Sequence, residues 1–363
     1  MPKIFQNKEK LVFHFVGDIG LNNTFCDPRN HDALKCNMAQ LAEIFGDCDL
    51  RVGNWEAPLW GDGHVNLEKN PRIYTTVETA NRILPLRLNV ALLANNHVYD
   101  CLEKGFENTL RFFETNNIRY LGAGLSQVEA RQPLILIIKG IKTALLNYVA
   151  PDTHPNISQE SKVFLNILDY DRMLQEIKDL KSNSDIVIVN LHWGMELLQY
   201  PSSEQRTVAR KAVEAGARIV ACHHPHCLQG HETWENGHIF YSLGNFLFGG
   251  LSEWKKQEWP KFCSDTVLAT CVVSKQKCEH IYTTYLKQKK TFLEIDRNCR
   301  REKKQNRLNR KLALDNRKYK NMYRRSLFFR KVVILPWFMI DVVYGLVGTL
   351  TKIRRIIAKT ILS

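Results

Sequence analysis

No two of the ten cysteines form a CxxC pair or recur at a regular interval. That excludes a disulfide framework read from spacing and fits a reducing, cytoplasmic body. No apolar signal segment stands between Met1 and the first strand, which is reached through Lys3, Lys8 and Lys10, so the same cytoplasmic expectation follows. No internal repeat and no low-complexity stretch precedes the last part of the chain. Excess charge of one sign is also missing from most of the sequence. The net charge of +14 resides at the end: from Arg297 onward there are 19 Lys/Arg against 3 Asp/Glu, leaving 32 against 34 in residues 1–296. Bulk electrostatic capture of a polyanion by that nearly neutral body is therefore not expected.

What is present is a core and a repeated pattern. A chain of 363 residues that is 44% hydrophobic can bury a large interior, as one long domain with an appendage or as two domains. Short β-branched runs alternate with segments of helical period, which predicts an α/β fold. Strands are expected over 11–16, 49–52, 90–93, 118–121, 186–189, 219–221, 266–273 and 281–286, with helices over 35–45, 76–84, 105–116, 168–180 and 203–215. Hairpins are expected at 134–149 and at 231–241, the latter around Asn236-Gly237, a pair that tolerates positive φ.

Strand after strand ends in polar residues: Gly17-Asp18, Asn54-Trp55-Glu56, Asn95-Asn96-His97 with Asp100, His192-Trp193-Gly194, and His223-His224-Pro225-His226. One Asp at a turn, or one His at a strand end, is ordinarily structural. Repetition at successive strand ends instead predicts that these groups converge on one crevice at the carboxyl edge, where open α/β folds bind ligands and metals.

Together with Tyr241-Ser242-Leu243-Gly244-Asn245-Phe246, these motifs resemble, in this order and over roughly residues 10 to 290, those of the CapA family of bacterial capsule or poly-γ-glutamate synthesis proteins. That family is similar to the calcineurin-like metallophosphoesterases. The resemblance implies a two-sheet αββα sandwich over residues 1–296 holding one or two divalent ions, Mn, Fe or Zn. Carried over by motif, Asp18, Glu56, Asn96, His192, His224 and His226 are the implied metal ligands. His97 is the implied general acid and Asp100 the residue that orients it. Carboxylate and amide oxygens suit hard divalent ions, imidazole suits Zn, Mn or Fe, and a pair of ions stabilises both attacking and leaving oxygens.

Two positions depart from the phosphoesterase pattern. That pattern has a His two residues after its first Asp, where this chain has Gly20, and a bridging Asp where this chain has Asn54 and Glu56. Either Glu56 bridges with its longer side chain or a single ion is held. The implied function is biosynthesis of a capsule or other cell-surface polymer, poly-γ-glutamate or polysaccharide, through a hydrolase- or transferase-like site. The alternatives are a non-catalytic subunit of a membrane-bound polymer synthase complex and a general metallophosphoesterase. Trp55, Trp193 and Tyr200, beside the motifs, either line the groove or belong to the core.

Residues 297–363 are expected to form a basic helical tail. Between 297 and 331 lie 15 Lys/Arg interleaved with leucines and tyrosines, followed by the apolar stretch 332–350, which contains Pro336 and Asp341. The apolar neighbour makes a membrane surface the better partner, and nucleic acid is not expected. Lys352, Arg354, Arg355 and Lys359 place positive charge on the far side too, which removes any inside-outside bias. A peripheral or re-entrant anchor on the inner face of the cell membrane is expected in preference to a span.

Overall fold

The computed structural model describes residues 10–250 and 259–334. The chain opens with β1 (Lys10–Gly20), α1 (His31–Phe45), β2 (Leu50–Trp55), the short α2 (Val77–Ala80), β3 (Val90–Leu92), α3 (Leu102–Thr115) and β4 (Arg119–Leu121). Next come β5 (Ala123–Gly124), α4 (Gln127–Arg131), the hairpin of β6 (Leu134–Ile138) and β7 (Ile141–Val149), and β8 (Phe164–Leu165). The alternation resumes with α5 (Tyr170–Asn183), β9 (Ile186–His192), α6 (Ser203–Glu214) and β10 (Ile219–His223). A second hairpin, β11 (His231–Trp234) and β12 (Gly237–Phe240), precedes β13 (Asn245–Phe248), β14 (Asp265–Ser274), β15 (Cys278–Lys289) and β16 (Phe292–Ile295). Two helices close the described chain, α7 (Arg300–Leu312) and α8 (Asn316–Phe329).

The strands form two large sheets, as the sandwich expectation requires. One runs β16-β15-β14-β1-β2-β3-β4 with β13 added on β1, and the other runs β11-β12-β10-β9-β7-β6. Phe13, Phe15, Val52 and Val90 of the first meet Leu145, Ile188, Ile219 and Ala221 of the second in a shared apolar layer. Each buried Phe, Val, Leu or Ile among these contributes about 1.5–3 kcal/mol. The outer face of the first sheet is covered by Leu34, Met38 and Leu41 of α1 and Phe106, Phe112 and Phe113 of α3. Met173 and Ile177 of α5 and Val208 and Ala212 of α6 cover the second. Strands buried on both faces explain why the runs read as continuous rather than alternating hydrophobics.

Local signals set several boundaries. Ser202 and Gln205 form a reciprocal capping box that starts α6, and the Asp169 carboxylate accepts the Arg172 amide to start α5. The helix expected over 76–84 is shorter than its periodicity suggests. It is α-helical only through Val77–Ala80 and continues as a 3-10 turn over Asn81–Leu86, because Pro85 has no N–H to give to the ladder. Four strands were not expected: the two-residue β5 and β8, which pair with each other, and β13 and β16. Of the latter two, each has four residues and is defined by its partner, β1 or β15, rather than by its own pattern.

The boundary drawn after Asp296 falls between β16 and α7. Beyond it the chain returns to the body. Leu308, Leu312 and Tyr319 are buried, the Tyr319 hydroxyl donates to the Pro201 carbonyl at 2.8 Å, and the Arg206 guanidinium lies 3.9 Å from the Tyr319 ring centre. Arg301 and Lys304 share Asp265 at 2.7 and 2.8 Å. The remainder of the apolar stretch, residues 335–350, lies outside the described residues, and no helix among those described is long and apolar enough to cross a membrane.

Candidate metal centre

β1, β2 and β3 run parallel in one sheet, β9 and β10 run parallel in the other, and their carboxyl ends meet at one edge of the sandwich. Side chains at those ends are aimed into the same space by the registers that pair Asp18 with Asn54 and His192 with His223. Two close approaches make this possible. Gly17 lies so near the Gly244 carbonyl that a Cβ would collide with it, while Gly244 itself takes φ +72° and accepts the Asp18 amide at 2.9 Å. His224 adopts φ +95° and His226 φ +54°. Such values are rare for a side chain with a Cβ, and held strain of this kind concentrates at functional sites.

Six of the side chains singled out from sequence come together here, joined by several that were not. His226 belongs to two groups whose ligand atoms lie within 4.8 Å of one another: Asp18, Glu56 and His226, and Glu196, His224 and His226. Asn96 Oδ1 lies 2.9 Å from His192 Nε2, and the same His192 nitrogen lies 3.1 Å from His224 Nδ1. His97 Nδ1 lies 2.7 Å from Asp100 Oδ2, an oxygen that also accepts the Ile73 amide at 2.7 Å. The His–Asp pair follows the candidate ligand Asn96 directly in the chain and is fixed by the backbone on its carboxylate side.

Sequence reasoning did not single out Glu196, although it stands four residues after His192 in the same post-strand cluster. It also took Asn54 only as a departure. In the structure the Asn54 amide nitrogen sits at the hub, 2.9 Å from Asp18 Oδ1, 2.8 Å from Glu56 Oε1 and 3.2 Å from His192 Nδ1. His223 orients Asp18 at 3.1 Å, and Asn245 of β13 orients His226 at 2.8 Å. Trp55 and Trp193 are core residues, the former packed on Phe112 and Phe113. Tyr200 is partly exposed.

The electrostatics are those of a site short of positive charge. Burial, with the neighbouring Asp18 added, pushes the Glu56 carboxyl well above the usual range. Burial works to raise Asp18 as well, but the hydrogen bond and charge of His223 with the charge of His226 bring it below its ordinary value. His192 is driven well below the usual imidazole range by burial and by the surrounding histidines, and His224 falls to about 3 chiefly through burial. Imidazoles held neutral are available as ligands. Glu56 Oε2, His223 Nε2 and Asn54 Oδ1 are buried without a hydrogen-bond partner. Orphaned acceptors beside two buried carboxylates fit a divalent cation, which would satisfy them and offset their repulsion.

Facing sheets flanked by helices form an αββα sandwich with a His-carboxylate cluster at its strand ends. The chain belongs to the family described as Bacterial capsule synthesis protein PGA_cap, whose model matches residues 12–250. Among curated relatives it is 30% identical to the capsule biosynthesis protein CapA of Bacillus anthracis over 254 residues, 68% of this chain and 62% of that protein. It is 29% identical to the PGA biosynthesis protein CapA of Bacillus subtilis over 250 residues, 68% of this chain and 66% of that one. The chain thus spans under two thirds of the length of these relatives. Solved structures with a similar arrangement include a 5'-nucleotidase precursor of Thermus thermophilus and the NAD nucleotidase of Haemophilus influenzae. The first is 11% identical with a TM-score of 0.41, covering 90% of this chain and 59% of that one. The second is 12% identical with a TM-score of 0.46, covering 81% and 61%.

Proposed function

We propose that this chain acts in the synthesis or processing of an anionic capsule-type polymer, poly-γ-glutamate or a polysaccharide, as a metal-dependent hydrolase or transferase. The observation that carries the reading is the pair of ligand groups sharing His226, set among buried acceptors that have no other partner. Asp18, Glu56, Glu196, His224 and His226 would hold one or two ions of Mn, Fe or Zn, with Asn96 and His192 beside them. When bound, such ions supply Lewis acidity and a lowered pKa for water. The chain's own residues do the rest. Asp100 keeps His97 Nδ1 occupied, so His97 Nε2 is the atom that exchanges a proton with the leaving group. Burial together with Lys69 lowers His97 well below its ordinary value, which makes its proton readily surrendered once acquired.

Membrane placement forms part of the proposal. α7 and α8 expose Lys303, Arg307, Arg310, Arg317, Lys320 and Arg324, and the end of α8 exposes Phe328, with Val332 just beyond it. Cations interspersed with exposed apolar groups suit the headgroup layer of anionic lipid on the inner membrane face.

One observation favours a second reading, a metal-stabilised but non-catalytic subunit of a polymer synthase. Asn54, not a carboxylate, occupies the hub between Asp18 and Glu56. Metal analysis and complementation separate the two. The purified full chain is expected to hold at least one divalent ion and the His226→Ala chain little or none, because both ligand groups lose a member. In cells lacking the gene, the wild type should restore surface polymer and His97→Ala should not. Restoration by His97→Ala would leave only the subunit reading, and a wild-type chain with under about a tenth of an equivalent of metal after reconstitution would remove both.

A further inference from the structure

The loop between β2 and α2 carries a lysine, Lys69, that enters the chemistry above only through its charge on His97. Lys69 is 5% exposed, and its ammonium has one hydrogen-bond acceptor, the His154 carbonyl at 3.0 Å. An ammonium brings three N–H donors, and burying it with donors unspent is unfavourable unless an anion completes it. Among the described residues no carboxylate is within ion-pair distance of Lys69. The loop is bonded to Asp100 on both sides of Lys69, through the Asn66 and Ile73 amides, which sets it next to the His97–Asp100 pair, and the Lys69 charge acts on Asp100, Glu196 and Glu56.

The loop is held in that place from both ends. The Asn66 amide donates to the Asp100 carbonyl at 3.0 Å, and the Ile73 amide donates to the Asp100 carboxylate at 2.7 Å. The Asn66 side chain donates to the Asn156 carbonyl at 2.7 Å, beside the His154 carbonyl that Lys69 uses. Arg72 has a different task, since its Nη1 faces the loop's own carbonyls at Asn66 and Lys69, 3.4 and 3.5 Å away. A divalent ion held by Glu56 and Glu196 would take up their charge and leave the Lys69 ammonium without that compensation.

We propose that Lys69 is a substrate-binding residue that receives an oxyanion of the substrate, a carboxylate or a phosphate, next to the metal centre. The inference rests on the metal reading of that centre. It gives this chain a means of recognising an anionic substrate locally, although the body as a whole is nearly neutral. A point charge with free donors accepts either oxyanion, so the source is set by experiment.

The test uses the full chain loaded with Mn, in wild-type, Lys69→Met and Lys69→Arg forms, titrated calorimetrically with inorganic phosphate and with γ-glutamyl-glutamate. Metal content is measured on the same samples. Lys69→Met should hold as much metal as the wild type and lose about tenfold or more in affinity for the tighter anion, with Lys69→Arg falling between. Tighter binding of the dipeptide assigns the subsite to a polymer carboxylate, and tighter binding of phosphate assigns it to a phosphorylated substrate. Equal anion affinity in wild type and Lys69→Met, with metal present in both, overturns this proposal alone, whereas a wild type without metal removes the reading of the centre and this one with it. If Lys69→Met does not fold, crystals of the Mn-loaded wild type soaked in phosphate decide. A phosphate oxygen within about 3.2 Å of Lys69 Nζ supports the subsite, and Nζ still bonded only to His154 refutes it.

Discussion

The basic helix α7 is tied to the body through a chain of neutral histidines, and acid should loosen it. Asn309 Oδ1 accepts the His231 amide at 2.8 Å and faces the Gln305 side-chain amide at 3.1 Å, so Asn309 Nδ2 is the donor to His231 Nε2 at 3.0 Å. His231 Nδ1–H then donates to His238 Nε2 at 2.9 Å, and His238 Nδ1–H donates to Thr233 at 3.0 Å. A proton added to either ring nitrogen that now accepts sets one N–H against another. Burial lowers His231 from 6.5 to about 4, and burial with the neighbouring ring lowers His238 from 6.5 to about 3. Folded values below the unfolded one mean that the unfolded chain binds more protons, so stability is complete above about pH 6.5 and declines as pH falls toward the folded values. Between pH 6.5 and pH 5 each group forfeits at most about 2 kcal/mol, at 1.36 kcal/mol per unit, and the pair about 4 kcal/mol. That is a large fraction of an ordinary folding stability. The double variant His231→Gln, His238→Gln removes both titrations. Urea denaturation at pH 7.5 and pH 5 should show the wild type losing more stability than the variant, by up to about 4 kcal/mol, with proteolysis at acid pH cutting first near α7. Equal losses in the two proteins would refute the reasoning.

Other consequences are open to measurement. Gly17→Ala places a Cβ against the Gly244 carbonyl, so it should lower stability by about 1–3 kcal/mol and weaken metal binding by displacing Asp18, read by thermal melts and metal titration. Asp100→Asn should leave metal content unchanged and reduce any polymer-processing rate by about 10–100-fold, since an amide that can also donate replaces the acceptor-only carboxylate that fixes the His97 tautomer. Arg206→Ala removes the hydrogen bond to the Leu312 carbonyl and the contact with the Tyr319 ring, so α8 should become protease-sensitive at a loss of about 1–3 kcal/mol. The full chain should sediment with anionic vesicles and not with neutral ones, and changing Arg317, Lys320 and Arg324 to Gln should weaken this by about 1 kcal/mol per cation. Sedimentation indifferent to those changes would remove α8 as the contact surface.

Much of this molecule is legible in the sequence because its strands are buried on both faces. Runs such as Phe13 to Val16 and Ile186 to Val189 announce strands without tertiary information, and the polar residues that follow them announce the edge at which chemistry gathers. The sequence therefore determined the α/β class, the two hairpins, the clustering of Asp18, Glu56, His224 and His226, and the adjacency of His97 to Asp100. Tertiary structure decided which of these come within reach of one ion, since that depends on the register between β1 and β2 and on the positive φ of His224 and His226, neither of which has a local pattern. It also brought Glu196 into the cluster, placed the Asn54 amide between two carboxylates, and tied the loop of Lys69, which has no periodicity, to Asp100. The basic end of the chain shows the same division. Its charge and helicity are local properties, but the burial of Tyr319 and the sharing of Asp265 by Arg301 and Lys304 arise only where the second sheet and β14 offer partners, more than 35 residues away in sequence. Periodicity reports what a segment tends to form, and long-range register reports what it meets.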